Sequence, residues 1–283
     1  NTLTQPKKTI FPDDGITKLD ILNYYIRVAP RLLNHIKGRA LTIKRFPQGI
    51  SKPGFFQKNK PANTPEWIPS IRTGIVKSDF LIINNLKALK WLINQNTIEL
   101  HQSAGRIPKI NFADYIVFDL DPPPSLTFGL VAEIACRLKP VIESAGFTPF
   151  VKTSGGKGLH ILFPIKPNST PAEIIQLTRS MLRSFPQPGL ITCEQRINKR
   201  RNKVYVDLSR NYSGQTIVAP YSIRAKPAAP VSTPLFWKEL NKIKSPAEFN
   251  LETVSKRIVA TEDPWKNFSA FAINAAQLKK QGL

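Results

Sequence analysis

Two aspartates at the end of an apolar segment constrain the fold of this chain more than any other feature. Residues 115–118 are apolar, and Asp119 and Asp121 follow them directly. The apolar segment predicts a buried strand, and residues two apart on a strand point to the same face of the sheet. Neighbouring carboxylates repel each other, and a bound divalent cation relieves that repulsion. The segment therefore predicts a buried strand with a metal site at its end.

A third carboxylate, Asp207, ends another strand-like segment at residues 203–206 and could complete that site. Three carboxylates are hard oxygen ligands, which suit Mg²⁺ or Mn²⁺ better than zinc. The two cysteines, Cys136 and Cys193, form no C-x-x-C pair. This spacing argues against a zinc site and against a disulfide scaffold, and it favours a reducing compartment inside the cell. We expect a Mn²⁺ or Mg²⁺ enzyme without zinc.

A glycine-rich turn, residues 154–160, contains three side chains that can donate hydrogen bonds to phosphate: Ser154, Lys157 and His160. It is not a Walker A loop, because Gly158 stands where that loop has Ser or Thr. Its successive backbone N–H groups are instead expected to form an anion-binding nest, although such a turn is also common in plain hairpins. The planar fork of Arg224 suits a triphosphate clamp. Carboxylates, a metal and phosphate-binding groups together predict phosphoryl or nucleotidyl transfer.

The charge of the chain points to a polyanionic partner. Lys and Arg number 41 against 19 Asp and Glu, a net charge of +22. Such an excess favours salt-dependent binding to nucleic acid, although charge also aids solubility. An anionic membrane is a weaker candidate, because no amphipathic helix with a Lys/Arg face and a clean apolar side is evident. No segment approaches 18 apolar residues, and no signal peptide is evident.

Two aromatic residues, Phe55 and Phe56, lie in a basic neighbourhood that includes Lys44. Adjacent strand residues normally place one of such a pair in the core, and the other can then stack on a base. His101, in another strand-like segment, is either a core histidine or a ligand. The basic segment at residues 199–203 is either a solvated loop or a phosphate contact.

Hydrophobic periodicity predicts an α/β (α+β) architecture with a mixed sheet. Helices are expected at residues 18–36 (interrupted near Pro30), at 86–93 after a cap at Asn84, at 128–145 and at 172–185. Strands are expected at 41–46, 98–101, 115–118, 148–152, 159–164 and 203–206, with a hairpin over 71–83 that turns near Lys77. Residues 238–283 are expected to form a peripheral helical tail.

A haloacid-dehalogenase-type phosphatase also has an Asp-x-Asp pair after an apolar strand. It requires Thr or Val two residues beyond the second aspartate, where this chain has Pro123. We also find no downstream acidic pair for its metal, so this alternative fits poorly.

The ordered motifs together resemble the primase-polymerase (archaeo-eukaryotic primase) superfamily, and specifically the polymerase domain of bacterial DNA ligase D. The resemblance covers residues 7–237 and implies one catalytic domain over 1–283, with mixed central β-sheets flanked by helices. The matching segments are Lys8-Thr-Ile-Phe-Pro followed by Thr17-Lys18, Lys44-Arg-Phe-Pro, Gly54-Phe-Phe-Gln-Lys58, Glu99-Leu-His101, Phe118-Asp-Leu-Asp-Pro122, Thr153-Ser-Gly-Gly-Lys-Gly-Leu-His160, Val206-Asp207 and Ala219-Pro-Tyr-Ser-Ile-Arg224.

The resemblance implies a template-directed nucleotidyltransferase of non-homologous end joining that prefers ribonucleotides, fills gaps and uses two Mn²⁺ or Mg²⁺ ions. The metal ligands would be Asp119, Asp121 and Asp207. The nucleotide would contact Lys44, Phe55, Phe56, His101, Ser154, Lys157, His160, Arg210 and Arg224. A DNA 5′-phosphate would bind Lys8 and Lys18, and the primer would meet the loop of Lys199, Arg200 and Arg201.

The expected partners are DNA ends, nucleoside triphosphates, a DNA ligase, a Ku-type end-binding protein and, across a break, a second copy of the chain. The implied location is cytoplasmic and nucleoid-associated. No nucleotidyl-lysine motif of a ligase occurs in these residues, so ligation is not expected of them. De novo priming and a non-catalytic end-bridging module are the alternatives.

Overall fold

The fold is described by a computed structural model over residues 2–73 and 78–275. Its α-helices are α1 (Lys18–Ile36), α2 (Leu86–Asn94), α3 (Phe128–Ser144), α4 (Pro171–Arg183) and α5 (Leu251–Ala260). Its strands are β1 (Thr9–Phe11), β2 (Ile16–Thr17), β3 (Leu41–Arg45), β4 (Phe55–Gln57), β5 (Ser70–Arg72), β6 (Asp79–Leu81), β7 (Thr97–Ser103), β8 (Tyr115–Asp121), β9 (Phe150–Thr153), β10 (Leu159–Pro164), β11 (Ile191–Thr192), β12 (Val204–Asp207), β13 (Thr216–Val218) and β14 (Pro234–Leu235).

Two larger sheets organise these strands. The first, which we call the catalytic sheet, has the order β11-β12-β8-β10-β9-β14. Its β11–β12 pair is parallel and its other pairs are antiparallel. The second, which we call the aromatic sheet, has the order β13-β7-β3-β6-β5, and β4 pairs with β3. The mixed α/β architecture expected from the sequence is confirmed.

The register of the catalytic sheet aligns four polar residues in one row across neighbouring strands. Lys152 lies opposite His160, His160 opposite Asp119, and Asp119 opposite Asp207. Directly opposite residues in antiparallel strands project to the same face of a sheet. The row therefore joins residues of the β9–β10 hairpin to residues of β8 and β12, which are distant from that hairpin in the sequence.

Local sequence signals account for most of the helix boundaries. Helix α1 begins after a capping box of Thr17 and Asp20, and α4 begins after a capping box of Thr170 and Glu173. The cap of α2 is Asn85, whose side chain accepts from the backbone N–H of Ala88. The prediction of Asn84 as that cap was wrong by one residue.

Helix α1 also differs from its expected interruption, because it continues through Pro30. A proline inside a helix removes one hydrogen bond and costs about 3 kcal/mol. Burial of the helix face that includes Tyr25, Val28 and Leu32 offsets this cost, since each of these side chains is inaccessible to solvent.

The expected hairpin over residues 71–83 is present as the antiparallel pair β5–β6. Its predicted turn begins at Lys77, which lies outside the described residues. In the segment expected to be peripheral, α5 is helical, but Trp265 and Phe268 are buried and Trp265 donates to the backbone carbonyl of Val151. Residues 276–283 of that segment lie outside the described part. No described helix is long and apolar enough to cross a membrane.

Candidate active site

A cleft of about 720 Å³ contains side chains from both sheets. The catalytic sheet contributes Asp119, Asp121 and His160, and the aromatic sheet contributes Phe56 and His101. The lining includes six cationic side chains against two carboxylates; the cations are Lys58, Lys157, Arg200, Arg210, Arg224 and Lys226. This excess of positive charge gives the cleft the electrostatics of a polyphosphate site.

Two carboxylates of the cross-strand row flank one guanidinium. The Nε of Arg210 lies 3.3 Å from Asp119 Oδ2 and 3.1 Å from Asp207 Oδ2. The other oxygen of Asp207 accepts from the hydroxyl of Tyr205 at 3.1 Å and from the backbone N–H of Ser209 at 2.9 Å. Asp207 is thus held in one orientation from both sides. The contributions of Tyr205 and Ser209 were not predicted from the sequence.

The paired aspartates of β8 experience opposite electrostatic environments. Burial and the carboxylate of Asp119 raise the pKa of Asp121 to about 6. Burial also acts to raise the pKa of Asp119, but His160 and Arg210 overcome it and keep that pKa below its ordinary value. The repulsion between the two carboxylates is the strain that a divalent cation would relieve.

The donor set of this site fits a hard divalent cation. Asp119 Oδ1 is buried, and the nearby Nε2 of His160, at 3.1 Å, does not make an aligned hydrogen bond to it. An anionic oxygen without an aligned donor is a natural cation ligand. Among the described residues, no three His, Cys, Asp or Glu side chains already converge on one point, since Arg210 lies between Asp119 and Asp207.

The predicted phosphate-binding turn is present between β9 and β10, but its construction differs from the expected nest. The Oγ of Ser154 accepts from the backbone N–H groups of Gly156 at 3.1 Å and Gly158 at 3.2 Å. These two amides are therefore already occupied by the serine. Lys157 is exposed at the turn and lines the cleft, so side chains remain available to an anion.

Glycine is required at two positions of this turn. Gly155 has a φ of +69°, a conformation that other residues rarely adopt. A Cβ on Gly158 would lie 2.1 Å from the carbonyl oxygen of Leu120. The turn therefore packs directly against the end of β8, beside the aspartates.

Glu99 belongs to one of the matching sequence motifs but had no predicted role. It contacts three predicted nucleotide ligands. Its carboxylate lies 2.9 Å from His101 Nε2, 2.9 Å from Arg224 Nε and 3.7 Å from Lys44 Nζ. Burial acts to raise the pKa of Glu99, but His101 and Arg224 outweigh it and lower that pKa to about 2. The sequence contained one signal for the contact between Glu99 and His101: they are two residues apart on β7, so their side chains share a face of the sheet.

Phe55 and Phe56 are both exposed, at 46% and 58%, so the expectation that one of them lies in the core was wrong. The reason is that β4 branches from the main strand order and pairs with β3, so neither ring is packed into the core. Phe56 makes an edge contact with His101, at 5.3 Å between ring centroids, and Lys44 Nζ lies 5.1 Å from the Phe56 ring. The pair presents two open aromatic faces beside the cleft.

The residues of the basic loop at 199–203 differ in their contacts. The guanidinium of Arg200 lies 3.8 Å from the ring of Tyr205, and it donates to the backbone carbonyls of Glu194 and Gln195. Arg200 lines the cleft, whereas Lys199 and Arg201 are exposed outside it.

The two predicted 5′-phosphate ligands lie at the N-terminal edge and differ in access. Lys18 is 2% exposed as a residue, and its ammonium contacts Thr4 Oγ1 and two oxygens of Asn94. Burial, and then the charge of Lys8, lowers the pKa of Lys18. Lys8 is partly exposed and donates to the carbonyl of Pro47.

The cleft thus collects ten of the residues singled out from the sequence: Phe56, His101, Asp119, Asp121, Ser154, Lys157, His160, Arg200, Arg210 and Arg224. Asp207 joins them through Arg210. The cleft also contains Thr42, Lys58, Gln215 and Lys226, which sequence reasoning had not selected. Only Lys58 had a local signal, as the end of the aromatic motif at residues 54–58.

Comparisons with known proteins agree with one another. The family described as "LigD, primase-polymerase domain" matches residues 17–265. The bifunctional non-homologous end joining protein LigD of Bacillus subtilis (strain 168) is 35% identical over 270 residues, which cover 94% of this chain and 43% of that protein. A multifunctional non-homologous end joining DNA repair protein LigD of Mycobacterium tuberculosis is 31% identical and matches 99% of this chain and 38% of its own length. The chain therefore spans less than half of these relatives.

Among solved structures, the polymerase domain from Mycobacterium tuberculosis ligase D in complex with DNA superposes with a TM-score of 0.88. The two chains are 30% identical, and the match covers 96% of this chain and 99% of that one.

Proposed function

This chain belongs to the LigD primase-polymerase family, and on that basis we propose that it is a template-directed nucleotidyltransferase that extends 3′ ends and fills gaps at DNA double-strand breaks. The observation that most supports this is the set of Asp119, Asp121 and Asp207 on one sheet face, beside a cleft with an excess of cations. A cation-binding carboxylate set beside a polyphosphate site matches the needs of nucleotidyl transfer.

In this proposal Asp119, Asp121 and Asp207 hold two Mn²⁺ or Mg²⁺ ions. When bound, such ions activate the primer 3′-hydroxyl and neutralise charge on the transferred phosphate. Arg210 supplies positive charge between Asp119 and Asp207, since its Nε lies within 3.3 Å of both carboxylates.

The other residues bind and orient the nucleotide. Lys157 and Arg224 contact the triphosphate, and Arg224 is held in direction by Glu99 and by the carbonyl of Ser154, to which it donates at 2.9 Å. Phe55 and Phe56 offer ring faces to bases. Fixed dipoles and charges in such a cleft need no reorganisation when the phosphate charge develops.

The finer assignments are also proposals. They are a preference for ribonucleotides, binding of a DNA 5′-phosphate at Lys8 and Lys18, and contact of the primer with the loop of Lys199, Arg200 and Arg201. The proposed partners are DNA ends, a DNA ligase, a Ku-type protein and a second copy across a break. We further propose that residues 1–283 act as one catalytic domain in the cytoplasm, associated with the nucleoid.

The test is single-nucleotide extension on a gapped duplex with a recessed 5′-phosphate, with Mn²⁺ and each ribo- and deoxyribonucleoside triphosphate. We expect templated addition, stronger with ribonucleotides, which Asp119→Ala and Asp121→Ala abolish while DNA binding is retained. Glu133→Gln, at an exposed pair on α3, is the matched control and should behave as wild type. No addition by the wild type, with tight phosphate-dependent DNA binding, would support the end-bridging module instead.

A further inference from the structure

Lys152 is a fully buried lysine in the strand that precedes the phosphate-binding turn, and the proposed function gives it no role. Its side chain is inaccessible to solvent. Burial of an ammonium costs free energy unless hydrogen bonds compensate for the lost water. Its Nζ has two such partners, Ser232 Oγ at 2.6 Å and His160 Nδ1 at 2.9 Å. A side chain this constrained is held in one orientation toward the imidazole.

The inventory of donors fixes the direction of the Lys152–Ser232 hydrogen bond. Ser232 Oγ lies 2.9 Å from the carbonyl oxygen of Thr153, and a carbonyl can only accept. The single hydroxyl hydrogen of Ser232 is therefore used there. Ser232 must accept from Lys152, and this hydrogen bond holds the ammonium in place beside His160.

The neighbours of the two ring nitrogens also fix the tautomer of His160. On the far side of the ring, Nε2 lies 3.1 Å from Asp119 Oδ1, and an ionised carboxylate can only accept. The contact is attractive only if Nε2 carries the hydrogen. A second hydrogen on Nδ1 would set two donors against each other at 2.9 Å. Nδ1 is therefore the acceptor, and Lys152 is the donor.

The sheet register makes this arrangement rigid. Lys152, His160 and Asp119 are directly opposite one another on β9, β10 and β8, so their spacing is set by the backbone ladder. All three lie within the interior, where a hydrogen bond is stronger than in water. A change at Lys152 is therefore transmitted to Asp119 through one intervening ring.

We propose that Lys152 is a positioning residue: by donating to Nδ1, it holds His160 as the Nε2–H tautomer, whose positive ring edge lies 3.1 Å from Asp119 Oδ1 without an aligned hydrogen bond. This contact helps to place the carboxylate on which the proposed nucleotidyl transfer depends. Partners behind ligand residues commonly matter in this way, and their loss costs about 10–100-fold in metal affinity or activity. The kinetic consequence rests on the proposed function, whereas the tautomer does not.

The first test is nitrogen-15 NMR of the imidazole groups in the unmodified protein. The chain has three histidines, so the spectrum is simple, and His160→Gln assigns the resonances of interest. We expect a single Nε2–H tautomer for His160, with Nδ1 shifted as a hydrogen-bond acceptor. A protonated Nδ1 in the wild type would overturn the proposal, whatever the enzyme's activity.

The second test compares Lys152→Met, which keeps most of the volume, with Thr233→Val as a control. Thr233, which directly precedes β14, is also fully buried, and its hydroxyl donates to the carbonyl of Val231. In Lys152→Met we expect the Nδ1 resonance of His160 to shift, while the resonances of His35 and His101 stay unchanged. In Thr233→Val we expect none of these resonances to shift.

In single-turnover extension, Lys152→Met should lower the rate about 10–100-fold with the nucleotide KM changed less than about threefold. An equal loss in Thr233→Val, or an unmoved His160 resonance in Lys152→Met, would reduce Lys152 to a packing residue. Absence of nucleotide addition by the wild type would refute the proposed function, and the NMR result would then decide the role of Lys152 by itself.

Discussion

The two walls of the cleft use opposite means of holding a ligand. On the catalytic sheet, Asp119, His160 and Lys152 are between 0% and 6% exposed and are fixed by one another. On the aromatic sheet, Phe55 and Phe56 are about half exposed and contact the protein through edges and cations. Buried charges act strongly at short range because the local dielectric is low, whereas exposed rings bind any base by stacking. We therefore expect the first wall to set the rate and the second to set affinity.

The largest expected effect is that of Asp207→Asn on the catalytic sheet. Loss of one negative charge leaves Arg210 with Asp119 alone and removes a proposed metal ligand. We expect the rate of extension to fall by at least about 10³-fold, which is ~4 kcal/mol of transition-state stabilisation, with DNA affinity unchanged. Single-turnover kinetics measure this. Asp263→Asn, at a carboxylate bonded to Tyr221, is the control, and a similar loss there would mean that general destabilisation is responsible.

Glu99→Gln should have the next largest effect, on affinity. The substitution keeps the shape but removes the charge that Arg224 and His101 share. We expect the nucleotide KM to rise by roughly 10–30-fold, about 1.4–2 kcal/mol, with the rate at saturation changed little. A steady-state titration of nucleotide decides it. A loss of rate at unchanged KM would break the division between the two walls.

The same residue gives a prediction for stability against pH. The pKa of Glu99 is lowered from 4.5 to about 2, so its contribution is fully present above pH 4.5 and is lost as the pH falls toward 2. This contribution is roughly 3 kcal/mol. Chemical denaturation between pH 5 and 3 should therefore show a shallower loss of stability in Glu99→Gln than in wild type. Glu133→Gln, on the exposed face of α3, should follow the wild-type curve.

Phe56→Ala tests the aromatic wall directly. Stacking on one base is worth ~1–3 kcal/mol, so we expect the affinity for nucleotide or template to fall about tenfold with the rate at saturation retained. Phe112→Ala removes another exposed ring that does not line the cleft and should leave affinity unchanged. A fall in rate without a fall in affinity would show that Phe56 positions His101 rather than a base.

The smallest effect lies outside both walls. Because Lys8 is partly exposed and Lys18 is committed to Thr4 and Asn94, Lys8→Ala should weaken binding of 5′-phosphorylated ends by about fivefold, ~1 kcal/mol. Ends with a 5′-hydroxyl should be unaffected, and the neighbouring Lys7→Ala serves as the control in a fluorescence binding titration. Equal weakening on both kinds of end would refute a specific phosphate contact.

Lys18→Ala should behave differently from Lys8→Ala, since it removes a donor from the part-buried backbone carbonyl of Asn94, whereas Asn94 Oδ1 still accepts from Thr4. An unsatisfied buried acceptor costs about 1–3 kcal/mol. We therefore expect a lower melting temperature together with weaker end binding. A stable Lys18→Ala protein with a purely phosphate-dependent defect would show that the ammonium is free to leave its three contacts.

Local patterns were sufficient for much of the fold and for naming many of the residues that the structure brings to the cleft. The apolar run before Asp119 predicted β8, the helical periodicity of residues 172–185 predicted α4, and the spacing of two predicted that Asp119 and Asp121 share a face. These features depend on neighbours in the sequence. Two adjacent asparagines, Asn84 and Asn85, could each cap α2, and the prediction of Asn84 was wrong by one residue.

What the sequence determined by itself was the chemistry available: three carboxylates, a glycine turn with Ser154 and Lys157, and an excess of 22 positive charges. Only the tertiary structure decided which groups meet. Pairing of β9, β10, β8 and β12 set Lys152, His160, Asp119 and Asp207 in one row, and the branching of β4 from the main strand order left both Phe55 and Phe56 exposed. Strand register and edge position depend on contacts between residues distant in the sequence, and a shift of one residue would turn every side chain to the other face.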